Sequence, residues 1–321
     1  MKNDIAIKFV DFWPTFDHHN NNFVEALRTK FNVRVIDAHS DEIPDLLFYS
    51  RCGTKEHYKY KDCVKIYYTG ENDVPNFNEC DYAISFYNID FGKRHLRYPL
   101  YKLYEFDMLQ NPVLITDEEA VKRPFCSVLL RNTNNCDPKR LEIIDAVDSY
   151  KPLAYGGPYR NNVGGSVEEK IPFISGYKFN LALENSIADG YVTEKIVEPM
   201  AASTVPVYWG CPTACKDFNP EAFINVNDFS TLDSFVKYLE KVDNDPDLYL
   251  KILRSPKLNN DTSPDFDSQL ADFLCDIAEG KKKHVIPYGE QNNMAWHNYN
   301  LNEIRNSNIA YKLGRALAKI F

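Results

Sequence analysis

"IAIKFVDFWPTFDHHNNNFVEALRTKFNVRVIDA", residues 5–38, decides the fold. An apolar run, "IAIKFVDFW", passes through a polar loop into the helix-compatible "NNNFVEALRTKF" and returns to a second apolar run, "NVRVIDA". Strand, helix, strand is the order of a βαβ unit. Three more short apolar segments follow in "PDLLFYS", "CVKIYYTGE" and "CDYAISF". Strands that are apolar on both faces belong to a parallel sheet covered on both sides, and such sheets gather ligands beyond the carboxyl ends of their strands. The residues just past each strand are therefore the ones to read for function.

Polarity rises around "DEEAVKRP" (117–124), and the same logic restarts with "FCSVLLRN", the helical "DPKRLEIIDAVDSY" and the strand-like "KPLAYGG". It continues through "YKFNLALEN", "GYVTEKI", "VEPMAAS" and "TVPVYWG", with later helical patterns in "TLDSFVKYLEKV" and "DSQLADFLCDIAE". A chain of 321 residues with 44% hydrophobic content exceeds the size at which a single core stops growing. The expected fold class is α/β, with two facing doubly wound, Rossmann-like domains around a cleft. Residues 1–121 form the first, 122–300 the second, and 301–321 a basic tail. In "SNIAYKLGRALAKIF" a helical projection groups Ile309, Leu313, Ala316, Leu317 and Ile320 on one face and Lys312, Arg315 and Lys319 on another. Such a helix can lie on an anionic membrane or dock on the body; both stay open here, as does the oligomeric state.

The net charge of −9 argues against nucleic acid as a partner. The start, "MKNDIAIKFVDFW", has no positive region followed by a long apolar one, and no later run approaches the ~18 apolar residues of a spanning helix. The expected location is the cytoplasm, with peripheral contact to the membrane only through the tail. Eight cysteines are scattered, and the interval in "CPTAC" is unlike a redox or zinc knuckle, so they read as reduced structural thiols.

Three strand ends carry candidate chemistry. "YYTGEN" (67–72) presents Glu71, a general base if a hydrogen bond steers it to a hydroxyl, beside Tyr68, which is either an aromatic wall for a sugar or core. "YGGPYRNN" (155–162) offers Arg160, whose planar fork suits phosphate. "LENSIADGYVTEKI" (183–196) brings Asn185, Tyr191, Thr193, Glu194 and Lys195 to a helix start, where orphan amides, the dipole and an ammonium suit a diphosphate and a carboxylate suits ribose hydroxyls. The plainer reading is helix punctuation, with Thr193 as N-cap and Lys195 solvated. His18 and His19 in "FDHHNNNF" and the acidic pair in "DND" (243–245) read as loop or cap, since no third ligand with metal-like spacing lies near.

"YTGENDVPNFNECDYAISF", "YKFNLALENSIADGYVTEKIVEPMAASTVPVYWG" and "KDFNPEAFINVNDF" together resemble the bacterial α-1,3-fucosyltransferases of glycosyltransferase family 10, in the same order and across nearly the whole chain. The resemblance implies a GT-B fold, an N-terminal acceptor lobe, a C-terminal GDP-fucose lobe, and inversion from GDP-β-L-fucose to an α-fucoside on O3 of GlcNAc or glucose. It places the general base on Glu71 with Tyr68 near the acceptor or fucose. It places the donor-binding set on Arg160, Asn185, Tyr191, Glu194 and Lys195. No metal is required by that chemistry, though Mn2+ or Mg2+ could stimulate it. Many members carry heptad repeats before a basic amphipathic tail, and here only "HNYNLNEIRNSNIAYKLGRALAKIF" remains. Two rival classes are a fucose-releasing glycoside hydrolase using Glu71 and Glu184, and a non-catalytic glycan-binding protein.

Overall fold

The computed structural model describes residues 2–103, 106–131, 136–259 and 265–285; the tail at 301–321 lies outside the described residues. The opening βαβ unit is β1 (Asn3–Val10), α1 (Asn22–Arg28) and β2 (Phe31–Val35). Asn21 caps α1 by accepting hydrogen bonds from the backbone N–H groups of Phe23 and Val24, which is why the polar run "HHNNN" ends where the helix begins. β3 (Leu46–Tyr49), β4 (Val64–Tyr68), β5 (Tyr82–Ser85) and β6 (His95–Arg97) complete a six-stranded sheet in the order β2-β1-β3-β4-β5-β6, parallel throughout. Every residue of β3, β4 and β5 is buried, as expected of strands packed on both faces.

The second sheet is built from β7 (Cys126–Val128), β8 (Ala154–Tyr155), β9 (Phe179–Leu183), β10 (Val205–Trp209) and β11 (Ile224–Asn225). Its order is β11-β10-β9-β7-β8, again parallel. Around it run α2 (Asp117–Lys122), α3 (Lys139–Tyr150), α4 (Lys170–Ile174), α5 (Glu194–Ala201), α6 (Leu232–Asn244) and α7 (Pro246–Arg254). α8 (Phe266–Gly280) falls within the span 122–300, yet it packs against α1 of the first unit, where Thr29 Oγ1 lies 3.6 Å from Cys275 Sγ. Its buried face, Phe266, Leu270, Leu274 and Ile277, joins the core of Ile5, Phe9 and Phe23.

Each sheet reverses its winding once. In the first, the chain leaves β1 for β2 on one side and returns to β3 on the other; in the second, β7 is followed by β8 on one side and β9 on the other. Crevices open at such switch points, beyond the carboxyl ends of the strands. The two crevices face each other because the lobes are joined by shared core and by polar ties. Val192, Ile196 and Met200 belong to the same apolar cluster as Tyr98 and Tyr101, and Arg97 grips Asp217 through two hydrogen bonds of 3.0 and 2.6 Å.

Two expectations are corrected by packing. Tyr68 is fully buried, its ring 4.9 Å from Phe23 and 6.4 Å from Trp13, so it lies in the core beneath the crevice. In a strand covered on both faces no alternation reveals which way a tyrosine points. Asp243 is not a cap: it is a buried acid bonded to Lys151 and Lys178, each at 2.9 Å. Asp245 does the capping, accepting from Leu248 N at the start of α7. The eight cysteines are free thiols.

Candidate active site

A cavity of about 270 Å³ opens at the first switch point, lined by Trp13 after β1, by Ser50 and Arg51 after β3, and by Thr69 and Glu71 after β4. A second, of about 440 Å³, opens at the other switch point, lined by Arg131 after β7, by Asn185 and Tyr191 after β9, and by Glu194 and Lys195 at the start of α5. Glu71 and Leu100 line both. Gly70 lets them come together, since a Cβ there would stand 2.5 Å from Leu100 Cδ1. The Glu71 side chain is exposed, and among the described residues none donates a hydrogen bond to its carboxylate.

The second-lobe loop is built differently. Glu184, at the end of β9, is wholly buried and accepts from Thr193 N at 2.8 Å, from Thr193 Oγ1 at 2.8 Å and from Lys195 Nζ at 3.2 Å. Thr193 is the N-cap of α5, with its Oγ1 also accepting from Lys195 Nζ at 3.0 Å. Burial raises the Glu184 pKa above the usual carboxylate value, with Lys195 opposing it. Burial pulls the Lys195 ammonium down, but Glu184 and Glu194 outweigh it and the net shift is upward. Glu194, 3.6 Å from Lys195 Nζ, is lowered: burial raises it, and Lys195, Lys170 and hydrogen bonds from its own backbone N–H and from Thr193 together more than reverse that. The result is a locked cation between two carboxylates at a helix N-terminus facing the cavity.

Gly190 sets the loop's path. Its φ of 82° is left-handed, and a Cβ there would meet Phe86 O of the first lobe at 2.4 Å. Tyr191 follows, 2% exposed, its ring 4.8 Å from Phe86. The loop is therefore pressed against the first lobe next to Glu71. Asn72 joins the two: its Nδ2 donates to Ser186 Oγ at 2.7 Å, and its Oδ1 accepts from Tyr87 OH at 2.5 Å.

The structure thus brings Glu71, Asn185, Tyr191, Glu194 and Lys195 around one cavity, and does not bring Arg160 there. Asn162 folds the loop back on β8, accepting from Tyr155 N at 2.8 Å and donating to Leu153 O at 2.9 Å. Arg160 is thrown out onto α3, where it pairs with exposed Asp145 at 2.6 Å. The basic groups that sequence reading missed are Arg131 and Lys170, which line the cavity, and Arg140, buried in the first turn of α3 with Nη1 donating to Asn185 Oδ1 at 3.0 Å. Arg131 and Arg140 follow β7 as Glu71 follows β4; the same strand-end rule, applied to "LLRN" and "DPKR", finds them. Glu184 is unsuited to act beside Glu71 as a hydrolase's second carboxylate, being buried and saturated with donors. Among the described residues no cluster of three or more His, Cys, Asp or Glu is placed to hold a metal ion, and no helix is long and apolar enough to cross a membrane.

Comparison with known proteins places this architecture. Residues 7–104 match the model of the α-(1,3)-fucosyltransferase FucT N-terminal domain, and residues 122–284 match that of the glycosyltransferase family 10 (fucosyltransferase) C-terminal region. An α-(1,3)-fucosyltransferase FucT of Helicobacter pylori is 36% identical over 253 residues, 68% of this chain and 52% of that protein. An α-(1,3)-fucosyltransferase B of Drosophila melanogaster is 39% identical over 103 residues, 32% of this chain and 22% of that one. The chain spans about half the length of the first relative and under a quarter of the second. A crystal structure of an α1,3-fucosyltransferase with GDP superposes with a TM-score of 0.76 at 29% identity, covering 88% of this chain and 93% of that one. A Rickettsia africae glycosyltransferase shares the fold at 12% identity and a TM-score of 0.53, covering 88% of this chain and 98% of that one. The two facing parallel sheets are a GT-B fold.

Proposed function

The chain belongs to glycosyltransferase family 10, the fucosyltransferases, and on that premise we propose that it moves L-fucose from GDP-β-L-fucose to a glycan hydroxyl with inversion. The observation that carries this reading is that Glu71 lines both crevices, one from each lobe. A single displacement needs its base at the junction of acceptor and donor, on the side of the sugar opposite the leaving group. The relative solved with GDP-fucose, 28% identical with a TM-score of 0.74, supports that donor.

In this reading Glu71 takes the proton of the acceptor hydroxyl as that oxygen attacks the anomeric carbon, and GDP departs. The leaving diphosphate gains charge in the transition state. Lys195, held by Glu184, and Arg140, bonded to Asn185, are in place before the reaction begins, and with the start of α5 and exposed Arg131 they supply positive charge on the second-lobe side. Glu194 accepts the ribose hydroxyls, while Asn185, oriented by Arg140, and Tyr191 shape the wall. The proposed acceptor is a β-galactosyl glycan such as N-acetyllactosamine, fucosylated on O3 of GlcNAc to a Lewis X-type product. Transfer to O4 in Galβ1-3GlcNAc is the second regiochemistry that a product analysis separates. The test is GDP release from GDP-fucose with a small acceptor panel, followed by NMR of the product linkage. Acceptor-dependent GDP release with an α-1,3 product supports the reading; fucose release from a glycan without nucleotide overturns it.

A further inference from the structure

With Tyr68 buried in the core, the aromatic ring that reaches the Glu71 cavity is Trp13. It follows β1, lines the same cavity of about 270 Å³ as Glu71, and is half-buried, packed on the first core with the rest of its surface open. Its neighbours hold the ring in place. Phe16 meets it edge-on with centroids 5.0 Å apart, and Phe12 and Tyr68 lie at 5.6 and 6.4 Å. The backbone is set as well, since "WPTF" closes a turn in which Phe16 N donates to Trp13 O at 3.0 Å and Pro14 takes the second position. A ring fixed before a ligand arrives loses little freedom when it is covered.

What covers it must be apolar on one side and polar at its edge, because Ser50, Arg51 and Thr69 line the same cavity. A sugar has that character, with C–H groups on a face and hydroxyls around the rim. Galactose suits a flat aromatic better than glucose or GlcNAc does. Its axial O4 gathers the hydrogens of C3, C4 and C5 on one face, whereas all-equatorial substituents leave the C–H groups divided between both faces. Position agrees with this. In Galβ1-4GlcNAc the galactose is carried on O4, next to the attacking O3, so a GlcNAc whose O3 stands at Glu71 sets the galactose in the same cavity.

We propose that Trp13 is a specificity-determining residue on which the terminal galactose of the acceptor stacks, selecting β-galactosyl acceptors over those that end in glucose or GlcNAc. This rests on the fucosyl-transfer reading, because Glu71 defines where the acceptor hydroxyl stands.

The test compares N-acetyllactosamine with GlcNAcβ1-4GlcNAc, which has the same linkage, using GDP-fucose and the whole chain. The wild type should favour N-acetyllactosamine in kcat/KM. Trp13→Ala should lower that preference by about tenfold, through the acceptor KM, with the Kd for GDP at its wild-type value, and Trp13→Phe should keep most of it. Tryptophan emission reads the contact without turnover: among Trp13, Trp209 and Trp296, Trp209 is buried in β10. Adding N-acetyllactosamine to the GDP-bound chain should change the emission of the wild type and not that of Trp13→Phe. A preference unaltered in Trp13→Ala, a parallel loss of GDP affinity, or an emission change that survives in Trp13→Phe would overturn the platform and leave fucosyl transfer standing. Absence of transfer to either acceptor by the wild type would overturn the underlying reading instead.

Discussion

The two loops that meet at the cleft are made in opposite ways. The loop after β4 presents Glu71 in the open, its backbone N–H tied locally to Thr69 Oγ1 at 3.1 Å. The loop after β9 is wired from beneath: buried Glu184 holds Thr193 and Lys195, and Gly190 is wedged against Phe86. A base that must meet a hydroxyl on a variable glycan gains from access. A site that must stabilise the charge of one leaving group gains from groups fixed in advance. The comparison predicts that damage to the first loop will appear in turnover alone, and damage to the second in turnover and stability together.

The largest effect is expected from Glu71→Gln. Loss of the base should lower kcat by about 10²–10⁴-fold, with GDP affinity and melting temperature unchanged, because none of the described residues donates a hydrogen bond to that carboxylate. Near-normal turnover would remove Glu71 from the mechanism. On the wired side, Lys195→Ala leaves Glu184 as an unpaired buried charge, which costs about 3–5 kcal/mol. Turnover should fall as well. The sign of the pH dependence follows from Glu184, whose pKa is already raised by burial. Its ionised form is the disfavoured one, so the deficit is greatest at neutral pH and above and shrinks as acid supplies the proton. Denaturant unfolding at pH 8 and at pH 5.5 checks this, and Glu184→Gln added to Lys195→Ala should recover part of the loss. Equal deficits at both pH values would break the account.

Much of this contrast was legible in the strand pattern. β1, β4, β9 and β10 are short, apolar on both faces and bounded by polar runs, and the switch-point rule then directs attention to "TGEN" and "GYVTEKI". Three things were not legible, for distinct reasons. A strand buried on both sides carries no alternation, so Tyr68 could be wall or core until the packing was known. The pattern "DPKRLEII" shows helix period but not that Arg140 in its first turn is buried against Asn185. The apolar stripe of α8 announces that it will be buried but not against which lobe, and the chain carries it back to α1.

Asn72 is where the two kinds of loop touch, and it sharpens the comparison at moderate cost. Asn72→Ala removes the hydrogen bonds to Ser186 and Tyr87, each worth about 0.5–1.5 kcal/mol. If the bond matters as alignment of Glu71 with the donor loop, kcat should drop by about tenfold with the KM for GDP-fucose near its wild-type value. A proportional change in both would instead mark the pair as structural glue.

The smallest expected effect decides between two arginines. Arg160 pairs with Asp145 on the surface, both side chains about half exposed, and such pairs contribute about 0–1 kcal/mol. Arg160→Ala should therefore leave GDP affinity and turnover within about twofold of wild type. Arg140→Ala should weaken both, because its guanidinium is buried and donates to Asn185, which lines the cavity. Titration of GDP into the two variants reads the difference directly. If Arg160→Ala weakened GDP binding as much as Arg140→Ala, the loop carrying Arg160 would have to leave α3 and cross to the cleft when nucleotide binds. The second lobe would then be no more preorganised than the first, and the contrast between the two loops would fail at the point where it is most exposed.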